Sequence, residues 1–272
     1  MKISVFYDHI LQAKQQSGKS LEELLAGVRE AGVEAVEICL AYLLEHEETL
    51  SLLRQAGLAV SCIYEFYEMD SHNEAEKARK HIEMAHRVQA DRILVVPGFL
   101  SEEESKEIPG ILQSYEKTAE FMENNAKIQR MAEGLRYVVG LGAEAGIAVT
   151  VEDFDDRESP LSFANGISWF LNTVPGLRYT LDMGNFIVYG EDVLEVWERF
   201  RDKISHVHCK DRGEDFLSVS AGEGTIPIDK LIGCLKACGY HGYLAIEHFD
   251  APNQEECIRR SAVFLRETIT LN

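Results

Sequence analysis

One local pattern recurs along the chain and limits what it can fold into: a helix-like stretch ends near glycine, and a short apolar run follows at once. It reads A-G-V-E-A-V-E-I (Ala31 to Ile38), A-G-L-A-V-S-C-I (Ala56 to Ile63) and A-G-I-A-V-T-V-E (Ala145 to Glu152). Looser versions begin at Ala90, Pro175, Arg201 and Cys238. Glycine suits the position after a helix because it reaches the left-handed region without a Cβ clash. With an opening strand at Ile3 to Tyr7 the count is eight strands. Helical stretches lie between them. Ser20 and Glu23 form a capping box before Leu21, Leu24, Leu25 and Val28, and Asn73, Asp192 and Asp229 each precede a helix. Eight alternating units predict an α/β fold, a single (β/α)8 TIM barrel with a parallel eight-stranded barrel. No Ser/Pro/Gly-rich linker divides the chain, so one domain over 1–272 is expected.

The fourth unit is oversized. Its strand ends at Pro97-Gly98, yet the next begins only near Ile147. An extended loop/helix insertion fills the gap: a polar loop from Phe99 to Gly110, then helices over Ser114 to Asn124 and about Ile128 to Glu144. Such a loop at the functional end of a barrel is either a lid or plain acidic surface.

Four apolar runs end in a residue able to bind a metal: A-V-T-V-E at Glu152, R-Y-T-L-D at Asp182, S-H-V-H at His208 and L-A-I-E at Glu247. Side chains alternate between the faces of a strand, so each ligand shares its face with small or polar residues. Thr150 lies under Glu152, Thr180 under Asp182, His206 under His208 and Ala245 under Glu247. The other face carries Val149, Val151, Tyr179, Leu181, Val207, Leu244 and Ile246. Strand C-termini carry function in parallel barrels, so the four should meet at one mouth. Three carboxylates and an imidazole favour one divalent ion with a taste for oxygen, Mn²⁺ first, with Mg²⁺, Co²⁺ or Zn²⁺ as alternatives.

These segments, with V-E-D-F (151–154), L-D-M-G-N (181–185), H-V-H-C-K-D-R (206–212), G-E-G (222–224) and G-Y-L-A-I-E (242–247), resemble the xylose isomerase-like TIM barrels of the sugar phosphate isomerase/epimerase superfamily. Ketose 3-epimerases, hydroxypyruvate isomerase and inosose isomerase or dehydratase are among its members. The resemblance implies that Glu152, Asp182, His208 and Glu247 hold the metal. It also implies that Glu152 and Glu247 are the acid/base pair of an isomerase or epimerase working through a metal-stabilised enediolate. Arg212 matches a position that binds a substrate oxygen. His206 either contacts substrate or orients His208. Where many members read D-x-G-H, this chain has Asp182-Met183-Gly184-Asn185; Asn hydrogen-bonds but does not titrate and ligates poorly. Glu37, facing inward near the end of the second strand, and Lys210, in phase with His208, are further candidates for substrate hydroxyls.

The expected substrate is a small-molecule sugar or polyol ketone, unphosphorylated for want of a basic cluster. The alternative is a lyase on the same framework, a dehydratase or a β-eliminating enzyme for 3-oxo-sugars; a non-catalytic sugar-binding barrel is a third reading. A net charge of −19 repels phosphate backbones, so no nucleic acid and no membrane partner is expected. The N-terminus meets Asp8 and His9 before any long apolar run, unlike a signal peptide. Six cysteines without framework spacing suit a cytoplasmic protein with free thiols, Cys234 and Cys238 being read as core packing. A homodimer is expected. Phe6, Tyr7, Tyr64, Phe66, Phe99, Phe154, Phe186 and Phe249 lie near strand ends, as ring platforms or as packing. His9, His46, His72, His81, His86 and His241 read as ordinary surface or helix residues.

Overall fold

The computed structural model describes every residue except 107, 109–113 and 272. Eight parallel strands close into a barrel ringed by helices: β1 (Lys2–Phe6), β2 (Ala35–Cys39), β3 (Ala59–Phe66), β4 (Arg92–Val96), β5 (Ala148–Glu152), β6 (Arg178–Asp182), β7 (Ile204–Arg212) and β9 (Tyr243–Glu247). The order is β6-β5-β4-β3-β2-β1-β9-β7, and a β6–β7 pairing completes the ring. A two-residue strand, β8 (Ser218–Val219), lies outside the ring and runs antiparallel to the end of β7.

Residue contacts group the chain into two units, Met1–Ile63 with His206–Asn272, and Tyr64–Ser205. In the first, the helix Tyr7–Ser17 packs on β1 and β2, the helix Gln254–Leu271 on β1 and β9, and the helix Leu21–Glu30 on those two helices. Ser20 and Glu23 form the expected capping box, and Gly32 and Gly57 adopt the expected positive φ. Register then stacks the inner face in layers. Ser4 pairs with Ala35 and Ala245, and His208 with Ala245. One layer further along, Phe6 pairs with Glu37 and Lys210 with Glu247. Two-residue periodicity thus puts His208 in one layer with small residues, and Phe6, Glu37, Lys210 and Glu247 in the next.

In the second unit, helices at Ala75–Val88 and Ala126–Ala145 pack against each other, the latter also against β5. Val149, Val151, Tyr179 and Leu181 are buried, as their face predicts. On the other face Thr180 donates to Thr150 at 2.8 Å, and Thr150 to the Ile93 carbonyl at 2.9 Å. Polar groups on the barrel floor are thereby satisfied, each bond contributing about 1 kcal/mol net.

Several expectations need correction. Tyr7 opens a helix instead of ending β1. Asp229 sits inside the first turn of the helix Ile228–Ala237, whose cap position is Pro227. The helix expected after Asn73 is present as Ala75–Val88, and the Asn73 side chain accepts from the Ala75 N–H. Cys238 is exposed and Cys234 only half-buried, so neither is core; all six cysteines are free thiols. In the Phe99–Gly110 loop Ser101 and Glu104 cap a short helix, Glu102–Ser105. Residues 107, 109 and 110 of that loop lie outside the described residues, and with them part of the lid question. Among the described residues no helix is long and apolar enough to cross a membrane.

Candidate metal centre

β5, β6 and β9 each end on their ligand, Glu152, Asp182 and Glu247. His208 differs from expectation: β7 continues four residues beyond it to Arg212, so Lys210, not His208, stands opposite Glu247. Donor atoms of Glu152, Asp182, His208 and Glu247 nevertheless all lie within 4.8 Å of one another. Asp182, His208 and Glu247 are buried, and Glu152 is partly accessible.

The surroundings fix how each residue presents itself. Asp182 Oδ1 accepts from the N–H groups of Gly184 (2.7 Å) and Asn185 (2.9 Å), closing the turn after β6, so Oδ2 is the oxygen with which it would ligate. Behind it Asp153, fully buried, accepts from the Asp182 N–H and from the Tyr179 hydroxyl. Burial, with the Asp182 charge beside it, pushes the Asp153 carboxyl well above the usual range, and burial likewise raises the Tyr179 phenol. Asn185, expected at substrate, donates its side-chain N–H to the Asp153 carbonyl at 2.8 Å. It braces the turn.

Glu247 Oε1 lies 2.6 Å from Lys210 Nζ, and Oε2 3.1 Å from His208 Nδ1. Oε2 is buried and makes no hydrogen bond among the described residues. Burial alone would raise the Glu247 pKa; the Lys210 ammonium and His208 outweigh it and hold the group well below the usual carboxylate range. An ionised, buried oxygen without a donor, beside an imidazole nitrogen and two further carboxylates, fits a divalent cation.

Glu37, expected to reach a substrate hydroxyl, is fully buried and faces two imidazoles: 2.7 Å to His206 Nε2 and 3.3 Å to His208 Nε2. Burial opposes its ionisation, but His208 and His206 prevail and keep it charged. Arg212 donates to the Phe216 carbonyl at 2.6 Å. Phe66, Phe99 and Phe154 form a cluster with centroids 5.6–6.4 Å apart, Phe66 being 45% exposed.

Three sets of residues escaped the sequence reading. His9 and His81, expected as ordinary surface or helix residues, are fully buried. His81 bonds the Tyr67 hydroxyl. His9 stacks on His248 (centroids 4.7 Å apart) and accepts from the His248 N–H, and burial drives both below the usual imidazole range, His248 to about 4. The adjacency of His248 to Glu247 was the one available signal. Asp153 was visible only as part of V-E-D-F. Asp211 was the third: its carboxylate accepts from the N–H groups of Arg212, Gly222, Gly224 and Ile226 at 2.8–3.1 Å. A Cβ on Gly224 would stand 2.2 Å from Asp211 Oδ1, which explains G-E-G as the partner of that carboxylate.

The sequence profile described as "Xylose isomerase-like TIM barrel" matches residues 25–268. The chain belongs to this family. Among curated proteins it is similar to L-ribulose-5-phosphate 3-epimerase UlaE of Escherichia coli strain K12 / DH10B, with 30% identity over 126 residues. That match takes in 46% of this chain and 44% of the relative, so it spans less than half the relative's length. Solved structures share the fold. A D-tagatose 3-epimerase-like protein superposes with a TM-score of 0.73 at 21% identity, covering 100% of this chain and 98% of the other. The probable 3-DHS dehydratase AsbF from Bacillus anthracis gives 0.72 at 17%, covering 98% and 99%.

Proposed function

We propose that this protein is a divalent-metal-dependent isomerase or epimerase of a free or lightly modified sugar or polyol ketone. The observation that carries the reading is the meeting of Glu152, Asp182, His208 and Glu247 donor atoms within 4.8 Å, two of them glutamates able to serve as proton carriers. The partial likeness to a ribulose-phosphate epimerase supports a ketose-type substrate. An ion held by these four, Mn²⁺ by preference, would offset negative charge building on substrate oxygens beside the reacting carbon.

The chain's own residues do the proton work. Glu247, held ionised by Lys210 and His208, takes a proton from the carbon next to the carbonyl. Glu152, the more accessible glutamate, returns one. Lys210 and Arg212 contribute hydrogen-bond donors for substrate oxygens. A lyase on the same framework is the second reading, and the 2.6 Å Lys210–Glu247 contact favours it: an ammonium beside the base is a ready proton donor for a departing hydroxyl.

Incubating the Mn²⁺-loaded protein with a panel of ketoses and cyclic polyol ketones in deuterated water tests both. Deuterium gained beside the carbonyl without loss of water is the expected result. Loss of water or an aglycone establishes the lyase. Neither exchange nor elimination across the panel, with metal bound, rejects the proposal.

A further inference from the structure

His208 lies between two carboxylates and offers each a different ring nitrogen. Nδ1 is 3.1 Å from Glu247 Oε2, while Nε2 is 3.3 Å from Glu37. Glu37 also meets His206 Nε2 at 2.7 Å. All three residues facing one another here, Glu37, His206 and His208, are fully buried. A carboxylate only accepts, so the imidazole nitrogens facing Glu37 carry hydrogen; His208 Nδ1, which faces Glu247, can carry one too when no cation is bound and must give it up to ligate. A neutral imidazole has one N–H and one lone pair. With the hydrogen on Nε2, the lone pair of His208 is on Nδ1.

The ring cannot easily turn to exchange these roles. His206 packs edge-on against it, with centroids 5.3 Å apart and planes at 90°. Phe6 does the same from another side, at 4.9 Å and 78°. Phe6 is itself the register partner of Glu37 across β1 and β2. The strand pairing that sets the barrel therefore also sets the carboxylate beside the imidazole.

We propose that Glu37 is a positioning residue that fixes His208 in its Nε2–H form and so presents the Nδ1 lone pair toward Glu247 for a divalent cation. This rests on the metal-centre reading above. It gives Glu37 a role behind the ligand, not at the substrate. It also separates two arrangements that the residues permit. Glu37, His206 and His208 form a second cluster whose donor atoms lie within 4.8 Å of one another. A cation there would need the Nε2 lone pair of His208, the opposite tautomer. The two clusters compete for one ring, and the geometry points to the one with Glu247.

The test is nitrogen NMR of the histidine rings in the full chain, metal-free and then titrated with diamagnetic Zn²⁺, alongside Mn²⁺ affinity measured by competition with a chelator. In the wild type His208 should show a protonated Nε2 both without and with metal, and Zn²⁺ should leave Nδ1 unprotonated and shift it. In Glu37→Gln the His208 signals should split between tautomers and Mn²⁺ affinity should fall by roughly 10–100-fold, the usual cost of losing a carboxylate behind a metal-bound histidine. Glu37→Asp, keeping the charge but shortening the reach, should fall in between. An unprotonated Nε2 in the wild type overturns the proposal without need of any variant. So does a Zn²⁺-induced shift at Nε2, which would assign the cation to the second cluster, or a Glu37→Gln chain with unchanged affinity and tautomer. If neither ion binds but the wild-type tautomer is as stated and Glu37→Gln scrambles it, the metal-centre reading fails while the positioning role of Glu37 stands.

Discussion

Lys210 Nζ and Glu247 Oε1 are 2.6 Å apart, with both side chains more than nine-tenths buried. A buried pair costs much to desolvate and costs more to break, because the survivor is left charged and unpaired. In the metal-free protein Lys210→Met should destabilise by about 3–5 kcal/mol. Adding Glu247→Gln to it should recover a large part of that loss, since no lone charge remains. Denaturant unfolding of the two single variants and the double variant measures the coupling. Simple additivity would mean that the pair is not coupled as its distance implies.

Catalysis and metal binding should separate by residue. Glu152→Gln and Glu247→Gln each keep a neutral oxygen but lose the proton acceptor. Turnover should fall by roughly 10²–10⁴-fold and stay low at saturating Mn²⁺. Asp182→Asn should lose activity that excess metal largely restores, because Asp182 is assigned to the metal alone. Full rescue of Glu247→Gln by metal would remove Glu247 as the base.

The Asp211 clamp should matter to stability more than to chemistry. Its carboxylate serves four backbone N–H groups, so Asp211→Ala strands buried donors and should cost at least about 3 kcal/mol. Asp211→Asn, keeping one acceptor oxygen, should cost less. Gly224→Ala should destabilise through the close approach to Asp211 and to the Arg212 carbonyl, 2.4 Å from a built Cβ. Thermal unfolding ranks the three, and a Gly224→Ala chain as stable as wild type would refute the account.

Acid should loosen the insertion locally. Glu104 is held down to about 2, chiefly by its hydrogen bond from Lys127 and then by the Ser101 N–H. Its folded value lies below the ordinary carboxylate value of 4.5. Its contribution is therefore complete above pH 4.5 and is lost as the pH falls from there toward 2. Hydrogen-exchange protection at Ser101–Ser105 and at the start of the helix Ala126–Ala145 should fall across that window. Glu104→Gln should already be loosened at neutral pH and show no further step. An unchanged acid response in that variant would place the sensitivity elsewhere.

Much of this was legible from sequence because it depends on period. Two-residue alternation put Thr150, Glu152, Thr180 and Asp182 on one face, and glycines at 32, 57 and 146 marked the strand entries. What was illegible depends on partners far away in the chain. Nothing near Asp211 says that its carboxylate will collect the N–H groups of residues 222, 224 and 226. Nothing near His9 says that it will stack on a residue 239 positions later. The length of β7 was misjudged for a related reason: its last residues are extended because β8 pairs with them, and a two-residue strand has too few side chains to show a pattern.

The turn after β6 has a consequence for the choice of ion. Because Asp182 Oδ1 already serves Gly184 and Asn185, and Glu247 Oε1 serves Lys210, each of these two carboxylates would offer a bound ion chiefly its other oxygen. A cavity of single-oxygen donors offers too few contacts to a large ion such as Ca²⁺, which gathers six to eight oxygens and uses bidentate carboxylates to reach that number. A smaller ion that accepts fewer donors would suit the four side chains better and leave room for substrate oxygens. Selectivity against calcium would then rest on backbone N–H groups and one lysine, none of which would touch the metal.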